Sequence, residues 1–232
     1  MSELISIGAA AAGGILPALA WLWFWRREDD RHPEPRKLIT LAFLAGIIAV
    51  AVVIPLEKFV ASYLVSQTAI FTAWSAIEEI TKYLAARVTV LRRRENDEPI
   101  DPVMYMVTVA LGFAAAENGL FLLSPLAGTT LLQTLVTGNL RFVGATLLHV
   151  LSSAAIGVAL GISFYKLRSV KRWYVAGGVI LAILLHSLFN FLILNTPESD
   201  LFRTFGFVWV GLVALLAILE FIKRIRKPLR MK

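Results

Sequence analysis

The sequence predicts an all-α, polytopic integral membrane protein, a bundle of about seven transmembrane helices. Three observations carry that expectation. The 232-residue chain is 58% hydrophobic, with a mean hydropathy of +0.73, above the ~45–50% apolar content of soluble domains. The apolar residues are gathered into long runs near the ~20 residues needed to cross a bilayer core. The basic residues flank those runs and fall almost entirely on one side.

Seven spans can be read in order: residues 4–25, 38–56, 68–91, 102–123, 142–165, 173–194 and 201–222. Nothing basic precedes the first, and Arg26 and Arg27 follow it, so an N-out anchor is expected rather than a cleaved signal peptide. The loop 26–37 mixes both charge signs with Pro33 and Pro35 and reads as a solvated linker, as does 92–101. The fifth span has room to start earlier, because residues 130–140 are mildly apolar; a short interfacial or re-entrant helix is the expectation there. Trp21, Trp23 and Trp25 suggest an aromatic belt at the interface. The whole chain, 1–232, is expected to form one helical domain, with spans three to six, 68–194, as its catalytic core.

Lysine and arginine set the orientation. Loop 26–37 carries five, 92–94 three, 166–172 four and the tail 223–232 six, whereas the opposite side has Lys58 and Arg141. The alternation holds through all seven spans. It places the N-terminus outside and the C-terminus in the cytoplasm. The same placement argues that the net charge of +7 serves topology and not a nucleic-acid partner. With no cysteine in the chain, disulfides, thiolate metal sites and a cysteine nucleophile are excluded.

Polar groups inside the spans point to function. They are Glu78-Glu79-x-x-Lys82, Phe113-x-x-x-Glu117, His149 and His186-x-x-x-Asn190. An ionisable group near the bilayer centre costs at least ~2.5–3.5 kcal/mol on insertion scales, so such groups face a cavity and serve a purpose. At 1.5 Å per residue, Glu78 lies roughly 15 Å below the outer end of its span, Glu117 and His149 roughly 10 Å, and His186 roughly 13 Å. Four helices thus bring polar residues to one layer in the outer half of the membrane. Glu78 and Lys82 have the i, i+4 spacing of a helical ion pair, while adjacent Glu78 and Glu79 point ~100° apart and should have different tasks. His149, Ser153, Gly157 and Gly161 form a small-residue stripe that lets a second helix approach. Singly, each group has a plainer reading: a packed histidine, a structural ion pair, an asparagine joining two helices.

Carboxylates, imidazoles and an amide can activate water and hold an oxyanion. A glutamate base takes the water's proton while His and Asn donors stabilise the oxyanion. Alternatively, a glutamate and two histidines bind zinc, leaving a coordination position for water. Both routes lead to hydrolysis, most naturally of a peptide bond in another membrane protein.

The ordered set Glu78-Glu79-x-x-Lys82, Phe113-x-x-x-Glu117, His149, His186-x-x-x-Asn190 resembles the PrsW family of bacterial membrane proteases. It is more distantly similar to the CAAX prenyl endopeptidases and the bacterial Abi/CPBP proteins of the same superfamily. That wider group carries Glu-Glu-x-x-x-Arg, where this chain has Lys82 followed by Tyr83, and a histidine where this chain has Glu117. Both departures favour the PrsW branch. The resemblance implies a protein of the bacterial cytoplasmic membrane that makes the first, extracytoplasmic cut in a single-span anti-sigma factor. On the chemistry of the residues, Glu78 or Glu79 is expected as the general base, with Lys82 tuning the pair. His149, His186 and Asn190 stabilise the oxyanion, or the histidines and Glu117 hold a metal such as zinc; Glu117 otherwise positions the water. The competing classes are a non-catalytic membrane scaffold or immunity protein on the same fold, a proton-coupled transporter, and a seven-helix retinal protein.

Overall fold

The computed structural model describes residues 3–27, 32–123, 131–195 and 201–227. The middle of the 26–37 linker and the last five residues of the basic tail lie outside them, as do the side chains of Arg141 and Arg203.

Seven helices make up the regular structure of the described residues. They are α1 (Glu3–Arg26), α2 (Arg36–Ala61), α3 (Gln67–Thr89), α4 (Asp101–Leu123), α5 (Leu131–Ile162), α6 (Arg168–Asn195) and α7 (Leu201–Ile222). Four contain stretches long and apolar enough to cross a membrane: Arg36–Ala61, Asp101–Leu123, Gly144–Ile162 and Arg168–Leu192. Three charges within five residues, Glu78, Glu79 and Lys82, make α3 less apolar than its neighbours. Its polar face can be kept inside a bilayer by the helices packed on it.

Most boundaries fall within a few residues of those expected. For α5 the earlier start holds: one unbroken helix of 32 residues begins at Leu131, so residues 131–140 belong to it and not to a separate short helix. At about 48 Å it exceeds the ~30 Å hydrocarbon core, so apolarity alone marked out too little of it.

The bundle is built around α4. Every residue from 101 to 115 is buried, which is why this helix is apolar all round. It packs chiefly against α1, α2 and α5. Glycines let the backbones meet: a Cβ on Gly112 would lie 2.0 Å from the Phe43 carbonyl oxygen, and one on Gly46 2.1 Å from that of Val109. The expected stripe on α5 does the same, since a Cβ on Gly157 would lie 2.6 Å from the Val103 Cα. Overpacking a core costs about 1–3 kcal/mol, and here backbone, not a pliable side chain, would have to move. Gly112→Ala is therefore expected to lower the thermal melting temperature of the purified protein; an unchanged melting curve would contradict the close α2–α4 contact.

The expected aromatic belt is split. Trp23 is 60% exposed, with the Arg27 guanidinium 3.8 Å from its ring centre. Trp25 is wholly buried in the main core with Leu147, Leu215 and Leu219. Two residues apart on a helix means ~200° apart around it, so the two cannot share an interface.

Candidate active site

Four helices meet at one buried polar cluster. Helix α3 supplies Glu78, Glu79 and Lys82, all on the face it turns to α5 and α6. Helix α4 supplies Glu117, α5 supplies His149, Ser152 and Ser153, and α6 supplies His186. The shared depth inferred from the spans thus corresponds to direct contact.

Glu79 is fully buried and held on every side. Lys82 Nζ donates to its Oε1 at 2.6 Å and Ser153 Oγ to its Oε2 at 2.7 Å. Ser152 Oγ lies 3.0 Å and His186 Nδ1 2.9 Å from Oε1. Lys82 is equally buried. It lies 3.5 Å from Glu78 Oε2, so its closer carboxylate is Glu79, at i−3, and not the i−4 partner expected. Phe113 closes the space beneath it, with Nζ 4.6 Å from the ring centre.

Glu78 is different. Its Oε2 is buried and accepts no hydrogen bond. It lies 3.6 Å from His149 Nδ1 and 3.8 Å from His186 Nε2. A carboxylate only accepts, so the nitrogens facing Glu79 and Glu117 carry the imidazole hydrogens. His186 donates through Nδ1 to Glu79, and His149 through Nε2 to Glu117 Oε2 at 2.6 Å. The lone pairs of His186 Nε2 and His149 Nδ1 are left on the side of Glu78. The rings stand edge to face, 5.1 Å between centres.

Among the described residues, the group with metal-ligand spacing is Glu78, His149 and His186, with one ligand atom from each lying within 4.8 Å of the others. Glu117 was expected in that set. It stands instead on the far ring nitrogen of His149, with a side chain 43% exposed. The donor set suits a metal: two imidazoles and a carboxylate, an orphaned buried oxygen between them, and a carboxylate behind each imidazole, the arrangement that orients metal-binding histidines. Lys82 Nζ opposes it, lying 3.0 Å from His149 Nδ1.

Asn190 is set apart from the carboxylates. Its Nδ2 donates to Ser75 Oγ at 3.4 Å, about one turn along α3 from Glu78. Two contributions escaped the sequence reading. Ser153 reads in the sequence only as part of a small-residue stripe and Ser152 carries no signal, because nothing in their spacing reveals the Glu79 oxygens opposite. Glu57 adds a carboxylate near Glu78 and Glu117; it sits one residue beyond the expected second span, in a turn that α2 continues through.

A family model described as "PrsW family intramembrane metalloprotease" matches residues 34–219. The chain belongs to the PrsW family. It is 28% identical over 189 residues to Protease PrsW of Geobacillus kaustophilus (strain HTA426), covering 79% of each chain. It is 28% identical over 190 residues to Protease PrsW of Clostridioides difficile (strain 630), covering 78% of this chain and 77% of that one. With Protease PrsW of Halalkalibacterium halodurans it shares 27% identity over 206 residues, 84% of this chain and 88% of its relative. No solved structure matches significantly. PrsW membership makes the protein a membrane protease, and the scaffold, transporter and retinal readings give way. The matched region spans α2 to α7, more than the four motif-bearing helices, and encloses every residue of the polar cluster.

Proposed function

We propose that this protein cleaves a peptide bond in a single-span membrane protein, an anti-sigma factor, as the first cut of a cascade that frees a sigma factor. The observation that carries the mechanism is the orphaned Glu78 Oε2 between two imidazole lone pairs. Glu78, His149 and His186 would hold a metal, zinc by the nature of the donors. A zinc ion would supply Lewis acidity, lowering the pKa of bound water to near 7. Glu79 and Glu117 fix the imidazoles. A carboxylate of the cluster accepts a proton from the attacking water as its oxygen bonds to the carbonyl carbon. That proton passes to the amide nitrogen as the C–N bond breaks, leaving a carboxylate and an amine. Asn190, whose amide donates to Ser75 Oγ, would serve as an oxyanion donor.

A second reading is favoured by the 3.0 Å approach of Lys82 to His149 Nδ1, which occupies the lone pair a metal would take. There Glu78 itself is the base and no metal takes part. Purified protein with a cleavable reporter separates the two. Under the metal reading, chelation abolishes cleavage and added zinc restores it; full activity in demonstrably metal-free protein eliminates that reading.

The substrate class rests on the motif resemblance, as do the distant kinship with CAAX and Abi/CPBP proteins and the bacterial cytoplasmic membrane as its location. The orientation, N-terminus outside and C-terminus cytoplasmic, rests on the lysine and arginine asymmetry, and the lipid bilayer is the solvent it requires. Co-expression with candidate single-span proteins tests the substrate. If Glu78→Ala, Glu79→Ala and His186→Ala all leave cleavage intact, the site is wrongly assigned. Reporter fusions at both termini test the orientation.

A further inference from the structure

A second cavity lies at the basic end of the bundle, between the C-terminal end of α3 and the N-terminal end of α6. Its volume is about 650 Å³. Arg87, Arg92, Arg168, Lys171 and Arg172 line it, and no carboxylate is among its lining residues. A neighbouring basic cavity of about 730 Å³ also carries Glu98 and Glu220, which lie 2.7 Å from His32 and 2.6 Å from Lys223.

The other features favour a ligand that is anionic at one end and apolar at the other. Arg87 is steadied by donating to Tyr83 Oη at 2.8 Å. Lys171 reaches the Phe164 carbonyl at 3.4 Å. Helix α6 begins at this cavity with no acidic residue in its first turn, so its partial positive charge faces the same space. Apart from Asn96 the remaining wall is apolar, from Leu91, Pro102, Leu160, Val175 and Ala176. It leads onto an outward face of α6 where Trp173, Ile180 and Leu184 are 80%, 58% and 59% exposed.

We propose that this cavity binds the headgroup of an anionic phospholipid, with its phosphodiester among the arginines and its acyl chains along the outer face of α6. Basic pockets between transmembrane helices bind such headgroups, and juxtamembrane cations contribute about 1 kcal/mol each toward an anionic surface. The position gives the lipid a consequence. Arg87 lies five residues beyond Lys82 on α3, and α6 carries His186, so the headgroup ties together the ends of two helices that meet at the polar cluster. The inference does not depend on the substrate or on the metal.

The test uses the full chain in nanodiscs of phosphatidylcholine doped with phosphatidylglycerol, with bound lipid counted by native mass spectrometry after release. Wild type should retain phosphatidylglycerol over phosphatidylcholine. The triple variant Arg87→Gln, Arg168→Gln, Arg172→Gln should lose about fivefold retention per arginine, roughly a hundredfold in all. The corresponding Arg→Lys triple variant should keep most of it. Lys223→Gln with Arg224→Gln, in the neighbouring cavity, should change little. Melting curves check that each variant is folded, which these exposed positions allow. Equal retention of both lipids by wild type would overturn the proposal, as would undiminished retention by the glutamine variant. So would full displacement by millimolar inorganic phosphate, which would mark a soluble-anion site. Loss of cleavage of substrates with acidic flanks, with lipid retention intact, would reassign the cavity to the substrate.

Discussion

Glu78→Gln is expected to reduce proteolysis by roughly 10²–10⁴-fold, the range for removing a positioned proton-transfer group, while the protein stays folded. Both mechanisms lead to that result. Under one, Glu78 takes the water's proton; under the other, it is a ligand of the metal. The substitution is nearly isosteric, and Glu78 Oε2 makes no hydrogen bond that the amide would forfeit. The bilayer-embedded core is therefore left intact. The check is cleavage of a reporter by purified wild type and variant at equal concentration, with melting curves alongside. Metal content distinguishes the routes: the variant loses its zinc if Glu78 is a ligand and has none to lose if Glu78 is the base. Residual activity within tenfold of wild type would remove Glu78 from the centre of the reaction.

Glu79→Ala should behave differently, failing first in stability. Removing one partner of a buried ion pair costs about 3–5 kcal/mol, because the other charge is left unpaired. Here Lys82 is wholly buried with its closest carboxylate gone, and His186 and Ser153 lose their acceptor as well. Lys82→Met alone should cost less, since Glu79 keeps three other neighbours. Combining Glu79→Ala with Lys82→Met removes both charges and should recover part of the loss, a coupling that a double-mutant cycle measures. Additive effects in that cycle would mean that the pair does not act as a unit. If Glu79→Ala melts like wild type yet is inactive, Glu79 belongs to the reaction and not to its scaffold.

Legibility in the sequence followed what each residue had to say about its surroundings. The spans were plain because apolar runs and flanking cations register the bilayer directly. The polar cluster was legible because a charge among apolar residues is conspicuous in any helix, and depth can be counted from the span ends. The division of labour between Glu78 and Glu79 could be anticipated from the ~100° between them, but not its direction. That depends on which carboxylate meets Ser153 and His186, residues 74 and 107 positions away. The place of Glu117 was obscured for the same reason: a motif records order along the chain, whereas the ring nitrogen a carboxylate meets is decided by the rotation of α4 against α5. Trp25 shows the limit of composition, since a tryptophan in a buried core and one at an interface look identical until the neighbouring helices are in place.

The same separations bear on how the protein is made. Helix α3 leaves the ribosome carrying Glu78, Glu79 and Lys82, with His149 and His186 still unmade. The bond from Glu79 to His186 spans 107 residues, roughly 5–20 s of synthesis at 5–20 residues per second. During that interval the nascent helix has the local Glu79–Lys82 pair to offset its charges, and α2 beside it. Stable insertion of α3 is therefore expected to require α5 and α6, which enclose its charged face.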